Sequence, residues 1–174
     1  MQTDAYLEVG LLLLVSFAAV NDLATRRIPN RLLLVSLAGA LLLRLLSAHP
    51  GSSLLDALGG IGTGLALFLP FYLLRGMAAG DVKMIAVVGA FTSPSAVFEI
   101  AVSSWCVGGV MALLLVLVNR RLGLVLGNLG RMALGIMTPG MGIVAPAAQT
   151  SAGSMPYGVA IALGTIVFLI RQYG

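Results

Sequence analysis

The chain has 174 residues, of which 59% are hydrophobic and only 9% charged, with a mean hydropathy of +1.06. A soluble domain is about one quarter charged, so this composition excludes an ordinary globular protein and makes the bilayer the expected solvent. The formal charge of +4 is no signal for nucleic acid, because the basic residues stand in short clusters between apolar runs, where such clusters report orientation.

Some six apolar stretches approach the length of about 20 residues that a helix needs to cross a hydrocarbon core. The expected fold is therefore all-α: one polytopic membrane domain, residues 1–174, with six transmembrane helices. Helix one is expected over 5–20, with Glu8 near one mouth and Asp22 just past the other. Its acidic start is the wrong charge for a secretory signal peptide, so it reads as a retained helix. The loop 21–31 is short and basic, and Pro29 biases Ile28 away from helical backbone, which turns the chain. Helix two is expected over 32–46, with Arg44 free to snorkel to the interface. His49 to Ser53 reads as a turn, with His49 a solvated loop residue. Helix three is expected over 54–74, with Gly60 and Gly64 at a spacing that permits close helix approach.

The next apolar run, 84–91, is too short to span alone. Its helix either starts below the membrane surface or includes Asp81 and Lys83, and both choices put Asp81 where protein or water must solvate it. Helix five is expected over 96–118, with Trp105 as packing and Cys106, the only cysteine, as a small buried hydrophobe. One cysteine excludes an internal disulfide and a cysteine-based zinc site. Residues 122–154 are broken by Gly, Pro and Asn128 and read as an interfacial or irregular cytoplasmic segment. The last helix begins near Met155-Pro156-Tyr157-Gly158 and runs to about residue 170.

The loops on the Asp22 and Asp81 side hold Arg26, Arg27, Arg31, Arg75, Lys83, Arg120, Arg121 and Arg131, whereas the other side holds only Arg44 and Arg171. By the positive-inside rule both aspartates face the cytoplasm and both termini lie outside. An acid at a membrane helix end is costly and needs a reason. Two carboxylates held close share a proton; one can then take a proton from water while the other gives one to a departing amine. That chemistry is peptide hydrolysis. A proton or ion path, or plain helix capping, would use the same residues, and physics alone leaves all three open. The only histidine, His49, falls on the opposite face, and no His/Cys/Glu cluster suggests a metal.

Two motifs favour the first reading. Asp22 stands ahead of Ile28-Pro29-Asn30, and Gly80-Asp81 is followed by Val82-Lys83. With the later Pro156-Tyr157-Gly158, this order resembles the prepilin peptidases, intramembrane aspartic proteases marked by G-x-G-D on one helix and a first Asp before an I-P-N turn. The chain closely resembles their small members, which serve tight-adherence (Flp-type) pili and consist of the membrane domain alone. The resemblance implies Asp22 and Asp81 as the catalytic dyad, with neither assigned as the first base, and a bacterial inner-membrane enzyme whose site faces the cytoplasm. Its partner would be a prepilin or pseudopilin helix with a basic leader, and no cofactor is implied. The supporting residues implied are Gly76, Gly80, Lys83, Ile28, Pro29, Asn30, Pro156, Tyr157 and Gly158. Gly80 would let backbone approach the substrate, and Ile28-Pro29-Asn30 would fix the turn that presents Asp22. Lys83 reads either as an interface cation or as a group that binds substrate or tunes the dyad, and Tyr157 either as a hydrogen-bond donor or as an interface anchor. The paired cysteines of the larger relatives are missing, so no zinc is expected and methylation of the new amino terminus is left open. One departure stands out: Ala78 replaces the first glycine of the tetrad. That is tolerable for packing and harmful where positive φ is needed. Gly76 and Gly80 keep a spacing that would preserve helix approach. An inactive relative serving pilus assembly, or a small proton-coupled transporter, are the competing readings.

Overall fold

A computed structural model describes residues 2–74, 76–118 and 155–173. Its helices are α1 (Gln2–Thr25), α2 (Asn30–Leu45), α3 (Pro50–Leu73), α4 (Ala79–Phe91), α5 (Pro94–Val118) and α6 (Tyr157–Tyr173), and no strand occurs among the described residues. The segment 122–154, expected to be interfacial or irregular, lies outside them, as does Arg75. By contact the chain forms two compact units, residues 1–108 with 156–174, and residues 109–155. Within the second, residues 109–118 are helical. The first unit contains all the candidate site residues.

α1, α3 and α5 are each long and apolar enough to cross a membrane. Their apolar side chains, like those of α2, are not all gathered inside: Leu13, Phe17, Leu34, Val35, Leu55 and Leu58 are exposed, as befits a chain whose solvent is lipid. The same logic corrects the expectation for Cys106, which is exposed on α5 rather than buried. In lipid, an apolar side chain gains little by turning inward, and helices associate through close packing.

α4 is the centre of the first unit. It packs against α1, α2, α3 and α6, and every residue from Met84 to Phe91 is buried. A helix apolar on all sides belongs inside a bundle, which explains a 13-residue run too short to span by itself. Its tightest partner is α3. Gly60 lies against Gly89 backbone, and a Cβ on Gly64 would sit 2.8 Å from the Ile85 carbonyl oxygen. The Gly60/Gly64 pair thus brings two backbones into contact.

Several boundaries differ from those expected. α1 runs on through Thr25, so Asp22 lies within the helix rather than past it. α3 starts at Pro50, with exposed His49 at its N-cap, so His49 to Ser53 is mostly the first helical turn; proline suits that position because its missing N–H has no helical partner there. Gly76 lies in the α3–α4 connection, not on α4, and donates its N–H to the Phe71 carbonyl at 2.8 Å. The Gly76/Gly80 spacing therefore makes no helix–helix contact face.

Arg44 gives the largest correction. It does not snorkel outward but is buried, donating to the Ala90 carbonyl at 3.3 Å, to the Thr92 carbonyl, and to Ser53 Oγ at 3.3 Å. Those carbonyls are orphans at the C-terminal end of α4, where a cation also meets the negative end of the helix dipole.

Candidate active site

The opposite end of α4 holds the acids. On α1 the buried residues Leu7, Leu11, Leu14, Val15 and Ala18 recur every three or four positions, and Asp22 continues that stripe. The helix face that packs inward therefore carries the carboxylate in with it, leaving it 6% exposed. Just beyond, the chain turns sharply. Arg26 takes a φ of 55°, a left-handed conformation more usual for glycine at a helix end. The turn is tied by Asn21, whose Nδ2 donates to the Arg27 carbonyl at 2.6 Å and to Thr25 Oγ1 at 3.1 Å. Thr25 Oγ1 in turn donates to the Asn21 carbonyl at 2.9 Å.

Asp81 lies in the first turn of α4 and is likewise 6% exposed. Its own N–H donates to the Ala78 carbonyl at 3.1 Å. An acid in a first turn meets the positive end of the helix dipole. Ala78 is the N-cap, exposed, with φ −81° and ψ 149°. That is extended backbone open to any residue, so alanine in the place of the first motif glycine carries no strain.

The structure brings most of the expected residues together. Ile28 packs on Gly80, where an added Cβ would be 3.5 Å from the Ile28 Cβ. Pro29 caps the start of α2, and Asn30, its first residue, accepts a hydrogen bond from Lys83 Nζ at 3.2 Å through Oδ1. The I-P-N turn thus docks on the first turn of α4, and it does so through residues on both sides of Asp81. Lys83 is exposed while Asp81 is buried, as two-residue spacing on a helix requires. Gly76 alone stands apart, exposed in the connection.

The third contribution comes from α6. Pro156 is buried, and Tyr157 donates its hydroxyl to the Ser104 carbonyl at 3.4 Å while meeting Phe68 edge-on, ring centroids 6.1 Å apart. Gly108 provides the seat for that ring, since a Cβ there would be 2.7 Å from Tyr157 Cε2. The Gly158 N–H donates to Asp22 Oδ2 at 2.8 Å. Asp22 and Asp81 interact electrostatically, as do Asp81 and Tyr157, and Arg26 acts on Asp22. Two buried acids from different helices thus stand within electrostatic reach of each other, beside the N-termini of α4 and α6. Sequence reasoning misses Asn21, Ser104, Phe68 and Gly108. Of these, Gly108 alone leaves a trace there, in a Gly-Gly pair within an apolar helix.

Two carboxylates that interact in this way titrate as a pair, so that one can carry a proton while the other is ionised, and such a pair suits activating water and protonating a leaving amine. Similarity to known proteins bears on that chemistry. No curated protein and no solved structure matches the chain. The model of the type IV leader peptidase family matches residues 9–117, a stretch that includes Asp22, the Ile28–Asn30 turn and Gly76 through Lys83 but ends before Pro156. With well over half of its length matched, and with both acids inside the match, the chain belongs to the type IV leader peptidase family.

Proposed function

We propose that the chain is a membrane endopeptidase of aspartic type that removes the basic leader of pilin-like precursors, with Asp22 and Asp81 as its dyad. The observation that carries this reading is that two buried acids, from α1 and α4, lie within electrostatic reach of each other in a member of a leader peptidase family. The ionised carboxylate takes a proton from water as the oxygen attacks the scissile carbonyl. The protonated partner then gives its proton to the amine as the carbon–nitrogen bond breaks, which restores one proton to the pair. Water is the only co-reactant.

In this reading the chain is a single domain of six spans in the bacterial inner membrane, with both termini outside and the dyad toward the cytoplasm. The basic loops beside Asp22 and Asp81 support that orientation. A substrate with an apolar helix would pack against the exposed apolar faces, and its leader junction would meet the dyad at the inner boundary. The unstrained backbone at Ala78 weighs against an inactive assembly factor, because the motif departure costs the helix start nothing.

Co-expression with a tight-adherence prepilin, read as the shift from precursor to mature pilin, tests the proposal. The wild type should cut, and Asp22→Asn and Asp81→Asn should each lose about a thousandfold in rate, the scale of general acid–base catalysis. Cutting at equal rates by all three forms would sink it. Proton flux through the protein without any cutting would favour a transporter.

A further inference from the structure

Gly158 lies outside the family match, and its N–H is the donor to Asp22 Oδ2, at 2.8 Å. The two residues are 136 positions apart, so the contact is made by the fold and not by a local turn. The geometry points to Gly158 as the positioning residue of the dyad: its backbone N–H holds the Asp22 carboxylate in place, and the space a side chain at 158 would need is already taken by Asp22. This rests on the dyad reading above and adds to it the group that aims one of the two acids.

Three observations carry it. First, the bond is buried at both ends, with Asp22 6% exposed and Gly158 buried. A buried carboxylate whose torsions are set by a backbone donor has little freedom to rotate away. Second, a Cβ on Gly158 would stand 2.9 Å from Asp22 Oδ2, 3.2 Å from its Cβ and 3.3 Å from its Cγ. A side chain there would press on the Asp22 side chain, which would have to shift to make room. Third, the donor is itself anchored. The Val159 N–H donates to the Pro156 carbonyl at 3.2 Å, and Tyr157, one residue before the donor, is seated on Gly108 with its hydroxyl on the Ser104 carbonyl. The first N–H groups of a helix have no partner within it, so α6 lends one of these orphans to Asp22.

Two changes separate donor from space. Gly158→Ala keeps the N–H and removes the room. An ester in place of the Tyr157–Gly158 amide, introduced as glycolic acid at position 158, keeps the room and removes the N–H. Both are measured in the full-length protein in membranes, against a precursor that the wild type cuts. For each, kcat should fall about tenfold or more with KM held within about twofold, since one hydrogen bond to a charged group is lost or misdirected after substrate has bound. Gly59→Ala is the reference. Its added methyl would stand 2.8 Å from Pro94 Cγ at the start of α5, touching neither acid nor the Tyr157–Ser104 anchor, and should lower folded yield while leaving kcat of the folded fraction unchanged. If Gly158→Ala fails to fold, the ester decides, because it adds no bulk. Wild-type kcat in the ester variant, with Asp22→Asn and Asp81→Asn inactive, overturns this inference and leaves the dyad standing. Wild-type rates in both Asn variants overturn the dyad and this inference together.

Discussion

The two ends of α4 each bury charge, and they treat it in opposite ways. At the C-terminal end the Arg44 guanidinium is spent on the Ala90 and Thr92 carbonyls and on Ser53 Oγ. At the N-terminal end two acids are buried, with the Gly158 N–H on Asp22 and the charge of Asp22 acting on Asp81. A buried ion that is fully partnered fastens helices and does little else. Buried acids that repel one another are held in place by the rest of the fold and remain available for chemistry. Both sites lie in one bundle and at similar exposure, so the contrast comes from partners and not from depth.

That contrast is broken most sharply by exchanging one charged group at each end. Asp81→Asn should fold at least as well as the wild type, because it removes a like-charge contact, yet lose about a thousandfold in cleavage rate. Arg44→Met should do the reverse, destabilising by about 3 kcal/mol as buried carbonyls lose their donor, while the folded fraction cuts normally. Thermal unfolding in detergent beside a cleavage assay reads both, and a rate loss in Arg44→Met without a stability loss would erase the distinction. Next in size is Gly60→Val, which forces atoms into the backbone contact with Gly89. It should cost about 3 kcal/mol by overpacking and act on both ends alike, because it displaces α4 as a whole.

Two smaller changes sharpen the picture at the acidic end. Ala78→Gly should leave the cleavage rate within about twofold and lower stability by about 0.5 kcal/mol through added freedom of the unfolded chain. A large gain in rate would show that the missing motif glycine matters for a reason other than backbone strain. Lys83→Met removes the bond to Asn30 Oδ1 at an exposed position, where such a contact contributes less than about 1 kcal/mol. If Lys83 only ties the I-P-N turn to α4, Asn30→Ala should match it in both rate and stability. A larger rate loss in Lys83→Met alone would mean that the ammonium itself meets the substrate.

The parts of this site legible in the sequence are those where the signal is local. Asp22 ahead of a Pro-bearing turn, and Asp81 at the head of a run too short to span, each stand out within a dozen residues of chain. The helical fold is legible for the same reason, since apolar length alone marks a membrane helix. What escapes depends on distance along the chain or on inversion of the usual burial rule. Nothing near Asp22 announces its bond to Gly158, and nothing near Arg44 announces the carbonyls that close the far end of α4. An arginine near a helix end reads as a surface cation until the neighbouring helix end is known. Cys106 reads wrongly as buried because lipid, unlike water, does not drive a small apolar group inward. The end of α1 falls later than expected, because Asn21 and Asp22 look like loop residues until Asn21 is seen to tie off the turn.

The shortness of α4 carries one more consequence. Its 13 residues reach only about 20 Å at 1.5 Å each, against a hydrocarbon slab of about 30 Å. Wherever this helix rests, the slab must be dimpled or the acid must sit at the bottom of a wet recess. Under the proposed function, lipid chain length then becomes a dial on turnover: longer acyl chains would deepen the well through which water and a leader reach Asp81, and shorter ones would make it shallow.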